Sequence, residues 1–350
     1  MNIVKYFWPF VLTLLVGLGL SFAFGFHAGG VVAAIAALQA TIILASLESS
    51  QSLDNVVVVS KIIKNMPPRW QNYYRIYGFL IGLIGMRVLM PIMLVSLIGW
   101  LNPFTALHMA LYDQKQYSTL LESAEPMIMT FGGSFLGLLA TQKYFLCPER
   151  EESWAFYEKP LQRLSGIASL PYMFIILVLI VTTLLEPANI QHGCLVAGLS
   201  GILTYSFVQD VIGAAAERSA AKGGERSGLI SLLYAEMVDA SFSFDGVISA
   251  FAVTTDIVII TIGLAIGAML TRCLIFANIK TGLIAQLPHI NAGAYTSIWL
   301  LSMLMFFKNT QLWAIPDFIT GTLGIVIIGI SAITSVIALR REKREQVNPA

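Results

Sequence analysis

Long apolar runs constrain the fold of this chain more than any other feature of its sequence. About ten of them approach the roughly 20 residues that a helix needs to cross a bilayer core. Charged side chains make up only 12% of the chain and hydrophobic ones 57%, whereas soluble domains have roughly 25% and 45–50%. We therefore predict an all-α, polytopic membrane helix bundle that forms a single domain over residues 1–350. The predicted spans are 7–26, 29–63, 76–100, 126–146, 169–186, 193–215, 228–252, 256–278, 292–307 and 317–339.

The basic residues predict the orientation of these spans. Lysine and arginine cluster after the second, fourth and sixth spans and after the last one, and ten spans place all four clusters on one side. By the positive-inside rule, we expect both termini, the charged loop 147–168 and the tail 340–350 to be cytoplasmic. The first run lacks an A-x-A cleavage site, so we interpret it as a retained helix of a bacterial inner-membrane protein.

Several functional classes receive no support from the sequence. A net charge of +1 gives no basic excess that would indicate a nucleic-acid partner. Cys147, Cys194 and Cys273 lie far apart without a C-x-x-C pair, and no His-x-x-x-His pair exists. We therefore predict neither a disulfide framework nor a thiolate or zinc centre, and no resident cofactor.

An internal repeat carries most of the polar residues within the spans. Residues 47–57 align without gaps to residues 238–248, and both copies share the pattern acid-x-Ser-x-Ser-apolar-Asp-[Asn/Gly]-Val. In the next span, glycines and an arginine recur at equal spacing: Gly78, Gly82 and Arg87 match Gly263, Gly267 and Arg272. Copy one runs towards the cytoplasm and copy two away from it. We therefore predict an inverted repeat over about 29–146 and 228–308, as is typical of transporters.

The acids of the repeat predict a cation site within the membrane. The two acids of each copy are six residues apart and would diverge on an unbroken helix, but the neighbouring serines and Gly246 favour a local break in each copy. Buried carboxylates mark ion pathways, and with hydroxyl and amide neighbours they suit Mg²⁺, Mn²⁺ or Ca²⁺. The alternative interpretation is that these acids and the arginines Arg87 and Arg272 form buried ion pairs that stabilise the helix bundle and bind no metal. The predicted metal ligands are Glu48, Asp54, Asn55, Asp239 and Asp245, and the predicted supporting or relay residues are Ser52, Ser243, Glu236, Arg87, Arg272 and Asp210.

With these motifs, the chain resembles the TerC-type integral membrane family of the LysE-like transporter superfamily, in the branch with a domain of unknown function. The resemblance covers roughly residues 30–340 and is closest over 236–256. The resemblance implies an exporter of metal ions, with manganese as the expected substrate. It also implies that the acids of both motifs (Glu48, Asp54, Asp239 and Asp245) and Asn55 bind the ion. The sequence departs from that branch at 290–294, where an acid and a histidine are expected before the Gly-Ala pair, and Gly293 predicts close packing there.

Together these features predict a transporter and not an enzyme. We expect export of a divalent cation, Mn²⁺ in the first place, by alternating access with proton exchange, because no G-x-x-x-x-G-K-[ST] motif is present to bind a nucleotide. One alternative is a transporter of a non-metal solute such as an amino acid. Another is a scaffold in tellurite or metal stress whose polar motif is a packing device. An intramembrane diaspartyl enzyme using Asp54 and Asp245 is disfavoured, since no G-x-G-D sequence is present.

Overall fold

The fold is known from a computed structural model, which describes residues 6–78, 80–89, 92–93, 95–96, 100–146, 167–222, 225–254, 256–282, 287–308, 310 and 317–347. Within these ranges the chain forms α-helices and two short π-helices and contains no strand, so the all-α prediction is confirmed. Most of the charged loop 147–168, including Cys147, lies outside the described residues, whereas Cys194 and Cys273 are buried free thiols. The helices are α1 Trp8–Gln51, α2 Leu53–Lys64, α3 Pro68–Tyr73, π1 Tyr74–Gly78, π2 Ile81–Leu89, α4 Pro103–Tyr112, α5 Gln114–Leu146, α6 Leu170–Leu184, α7 Ala188–Lys222, α8 Glu225–Val253, α9 Ile257–Thr281, α10 Ile290–Lys308 and α11 Asp317–Val347.

Helix α1 turns back on itself halfway along its length. The backbone leaves helical geometry at Gly29 and Gly30, and Gly30 has a φ of 72°, in the left-handed region that glycine adopts without steric cost. The Ser21 Oγ atom lies 2.7 Å from Thr41 Oγ1, which a straight helix would hold far apart. The arms 8–28 and 31–51 therefore pack as an antiparallel hairpin, with the reversal at the predicted boundary between the first two apolar runs.

Several helices are long and apolar enough to cross a membrane, which agrees with the prediction of a membrane protein. They are Trp8–Ser50, Ala188–Val211, Ile257–Thr281 and Ile290–Lys308, with shorter apolar helices at Leu170–Leu185 and Val326–Arg340. The first of these stretches contains the hairpin and so supplies two apolar arms. The count of ten spans stays a prediction.

The polar motif of copy one interrupts its helix, whereas that of copy two does not. Ser52 separates α1 from α2 with φ −96° and ψ 4°, although its amide still donates to the Glu48 carbonyl at 3.1 Å. Helix α8 continues without a break from Glu225 to Val253, through the whole second motif. The predicted break in copy two is therefore wrong. Packing against neighbouring helices stabilises α8 more than serine and glycine propensities weaken it.

The helices that carry the two motifs pack in opposite directions, and α9 lies beside both. Along α9, the Cβ position of Gly263 meets Leu44 at 2.5 Å, that of Gly267 meets Glu48 at 2.6 Å, and the Asn278 amide donates to Ser60 Oγ at 2.7 Å. Residue numbers rise together, so α9 runs parallel to the second arm of α1 and to α2. Helix α8 runs antiparallel to them, because residue 44 packs in one cluster with 250 and residue 55 contacts 239.

The Gly293 prediction is confirmed where α10 meets α11. A Cβ atom at Gly293 would overlap the Ser331 side chain of α11, and the main-chain N–H of His289 donates to Ser335 Oγ one turn further on, at 3.0 Å. The absence of a side chain at residue 293 thus lets the two helices approach closely.

Candidate cation site

A buried guanidinium and two carboxylates connect α8 to α9. The Arg272 Nη2 atom lies 3.4 Å from Glu236 Oε2 and 3.6 Å from Asp239 Oδ2. Only 6% of the Arg272 side chain is exposed, with 5% of Glu236 and 15% of Asp239. The two acids are three residues apart and therefore share one face of α8. Two predicted site residues thus meet a predicted supporting arginine, and in this group negative charge exceeds positive charge.

Asn55 joins the first motif to the second. It is buried at the start of α2, and its Nδ2 group donates a short hydrogen bond to Asp239 Oδ1. Asp239 therefore accepts from Asn55 with one oxygen and pairs with Arg272 through the other. This hydrogen bond joins one residue of each copy, 184 positions apart in the chain.

Glu48 is buried on the second arm of α1, one turn before the break at Ser52. Only 3% of the residue is exposed, and Ser52 Oγ lies 3.4 Å from Glu48 Oε1. Its Cβ and Cγ atoms would lie 2.6 and 2.7 Å from a Cβ at Gly267, so the space for this acid exists because residue 267 has no side chain. Glu48 thus lies about two turns from Asn55 along the helix axis.

The antiparallel register places the motif acids on two levels. Residue 54 neighbours Asn55 and so lies at the depth of Asp239, whereas residue 245 of α8 lies at the depth of Glu48. Six residues of helix separate the levels by about 9 Å. The side chains of Asp54, Asp245, Ser243 and Arg87 lie outside the described residues, so their predicted roles stay predictions.

Tyr74, the first residue of π1, is part of the site but was not predicted from the sequence. The Arg272 Cζ atom lies 4.5 Å from the centroid of the fully buried Tyr74 ring. One and two turns later, Cβ atoms at Gly78 and Gly82 would lie 2.6 Å from Arg272 Nη1 and 2.8 Å from Arg272 Nη2. Tyr74, Gly78 and Gly82 therefore form a cradle for the guanidinium, which we call the arginine cradle. Their regular spacing of four is the signal that could have revealed Tyr74.

Substituting alanine for Gly78 is expected to lower the stability of the protein. The new methyl carbon would lie 2.5 Å from Glu236 Oε1 and 2.6 Å from Arg272 Nη1, which must separate the ion pair. Overpacking a buried site costs about 1–3 kcal/mol, visible as a lower melting temperature of the detergent-purified protein. Gly19→Ala is the matched control, since its Cβ would meet nothing within 4 Å. Equal melting temperatures for the two variants would contradict the arginine cradle.

Asp210 does not contact Arg272, Glu236 or Asp239 in any of the described interactions. Its side chain is exposed on α7, which gives no support to its predicted relay role. Its neighbour Gln209 instead donates to the hydroxyls of Tyr205 and Tyr234 at 2.9 and 3.2 Å. Tyr205 in turn donates to Gln142 at 3.0 Å. These hydrogen bonds connect α5, α7 and α8.

The described side chains alone do not form a complete metal site. Among them, no three His, Cys, Asp or Glu residues are close enough to hold a metal ion. Both oxygens of Asp239 are engaged, one by Asn55 and one by Arg272. A cation at this level would therefore need the nearby Asp54 position or the withdrawal of Arg272.

Comparison with known proteins identifies a family but no activity. A family model described as protein of unknown function (DUF475) matches residues 53–342. This range contains the whole second motif and the part of the first motif that begins at Leu53. No curated protein and no solved structure matches the chain significantly.

Proposed function

The chain belongs to the DUF475 family, and we propose, from the contact between its two polar motifs, that it transports a divalent cation, Mn²⁺ in the first place, across a membrane. The observation that carries this proposal is the hydrogen bond from Asn55 of copy one to Asp239 of copy two. Asn55 is buried and the Asp239 side chain is only 15% exposed, and Asp239 pairs with Arg272 of α9, a helix long and apolar enough to cross a membrane. In transporters with inverted repeats, the substrate site lies at the interface between the repeats.

The charge of the motifs supports a cation as the substrate. Glu48, Glu236 and Asp239 are buried or nearly so, and Arg272 pairs with the last two. Each carboxylate in an apolar span costs ~2.5 kcal/mol or more, so a cluster of them favours the binding of a positive ion. Carboxylate, amide and hydroxyl oxygens are hard donors, which suit Mn²⁺, Mg²⁺ or Ca²⁺. Among these, the resemblance to TerC-type proteins favours Mn²⁺.

Reciprocal packing supports the inverted repeat that alternating access requires. The first acid of motif one, Glu48, lies against Gly267, in the helix that follows motif two. The first acid of motif two, Asp239, lies 3.7 Å from the Cβ position of Gly82, in the helix that follows motif one. Gly82 and Gly267 are equivalent positions of the two copies, so in each copy this glycine packs against the first motif acid of the other copy. Rocking one copy against the other would expose the site to each side in turn.

Contacts between helix ends support the ten-span topology that we propose. Lys308 and Glu125 form an ion pair of 2.9 Å, and both lie on the predicted outer side. Trp70 lies against the Gly228 backbone, and both belong to predicted cytoplasmic ends. With this topology, both termini are cytoplasmic, as in a bacterial inner-membrane protein, and the cation is exported in exchange for protons.

Cation flux into proteoliposomes of purified protein tests the proposal, with Mn²⁺, Mg²⁺, Ca²⁺ and Zn²⁺ compared. We expect selective Mn²⁺ movement that Asp239→Asn abolishes, because the substitution removes the charge that connects both motifs. The control is Glu122→Gln, which removes an exposed carboxylate on α5 and should leave the flux unchanged. An absence of flux for every cation, or an active Asp239→Asn protein, would contradict the proposal.

A further inference from the structure

We propose that Arg272 is the resident cation of the site: it pairs with the carboxylates of α8 when no substrate is bound, and an incoming divalent cation displaces it from them while the ring of Tyr74 retains it. This inference rests on the proposed function, since it says which group pairs with the carboxylates before the cation binds. Three features of the arginine and its surroundings carry it.

The first feature is that Arg272 is held loosely for a buried ion pair. Its Nη2 atom alone serves both acids, at 3.4 Å from Glu236 and 3.6 Å from Asp239. A permanent arginine–carboxylate pair is usually bidentate, with N···O distances of about 2.7–2.9 Å. The Nη1 atom is buried and has no hydrogen-bond partner in the described part of the chain. Little hydrogen bonding is therefore lost when the guanidinium withdraws from the carboxylates.

The second feature is a contact of the guanidinium that does not depend on the carboxylates. The Tyr74 ring lies 4.5 Å from Cζ, within the range of about 6 Å for a cation–π interaction. The Tyr74 hydroxyl is buried and makes no hydrogen bond among the described residues, so this side chain acts through its ring. Gly78 and Gly82 leave the neighbouring helix surface free of side chains where the guanidinium lies.

The third feature is the winding of the helix that forms the arginine cradle. Tyr74–Gly78 and Ile81–Leu89 are π-helical, a rare geometry that is frequent at functional sites. The cradle belongs to copy one, whereas Arg272 and both acids belong to copy two. Release of the guanidinium from the acids therefore changes a contact between the copies.

The exchange of Arg272 for a divalent cation explains how the carboxylates can remain among apolar helices when no cation is bound. Without a substrate ion, the positive charge of Arg272 lowers the cost of burying Glu236 and Asp239. With the ion bound, the carboxylates are neutralised by the metal, and the Tyr74 ring stabilises the displaced guanidinium. The ring then contributes more to the loaded state than to the empty one, because in the empty state the carboxylates also hold the arginine.

The test is a Mn²⁺ titration of the purified protein and its variants, with the six-line EPR signal of free Mn²⁺ as readout. Arg272→Gln should bind Mn²⁺ about tenfold more tightly, because the competing charge is removed. Tyr74→Leu should bind it about fivefold more weakly, and Tyr74→Phe, which keeps the ring, should match the original protein. A purely structural ion pair would instead lower affinity in both the Arg272→Gln and the Tyr74→Leu protein.

A matched control exists near the start of α3. Arg69 lies 5.7 Å over the ring of Tyr73 but is exposed, so Arg69→Gln should leave the Mn²⁺ affinity unchanged. Equal or weaker binding by Arg272→Gln, or no difference between Tyr74→Leu and Tyr74→Phe, would overturn this inference while the proposed function stands. If the original protein binds no Mn²⁺, the proposed function itself fails.

Discussion

Substituting asparagine for Asp54 or for Asp245 is expected to abolish Mn²⁺ transport while the protein remains folded and inserted. The helices place residue 54 at the level of Asp239 and residue 245 at the level of Glu48, so each substitution removes one charge from a different level. Loss of a group that merely supports a metal ligand already costs about 10–100-fold in affinity or activity. Loss of a ligand should lower the initial flux in proteoliposomes by about a hundredfold or more.

Size is not a factor in this experiment, because asparagine matches aspartate in shape and changes only the charge. The melting temperature of each variant should therefore stay close to that of the original protein. Glu122→Gln, on the exposed face of α5, serves again as the control. Full flux in both the Asp54 and the Asp245 variant would exclude these acids as ligands.

Substituting leucine for Gly267 is expected to be the most destabilising single change in the packing of the bundle. Its Cβ would lie 2.6 Å from the Glu48 side chain and 2.8 Å from the Ala45 carbonyl oxygen. Because the second of these neighbours is backbone, α1 and α9 must move apart. We expect a loss of about 3 kcal/mol, measured as a lower melting temperature in detergent, together with loss of transport.

Gly19→Leu provides the comparison for this substitution. It adds the same side chain to α1 at a position where a Cβ meets nothing within 4 Å, so the melting temperature should stay close to that of the original protein. Similar destabilisation by both leucines would mean that glycine content, and not the contact with Glu48, determines the stability of this region.

A contact between the two motifs is what the predicted inverted repeat implies. Two copies of opposite direction would bring equivalent segments together near their symmetry axis, and Asn55 contacts Asp239. The reversal of α1 at Gly29 and Gly30 could also be predicted from the sequence, because the apolar run on each side of these glycines is long enough to cross a membrane.

Other features depend on tertiary packing, which no local pattern encodes. The sequence predicted a break in both motifs, but α8 is continuous because neighbouring helices hold it. The π-helical winding after Tyr73 and the stacking of Tyr74 on Arg272 follow from how two copies fit together. Asp210 looked intramembrane by its position in an apolar run, yet its side chain faces out of the bundle.

Anomalous scattering of Mn²⁺, measured from crystals of the protein grown with the ion, would locate the bound cation. We expect a peak between α8 and the α1–α2 segment, within about 2.0–2.6 Å of a carboxylate oxygen from each motif, with Arg272 withdrawn from Asp239 but still over the Tyr74 ring. A protein that transports Mn²⁺ but shows its peak away from both motifs, with Asp239 still paired to Arg272, would contradict this expectation.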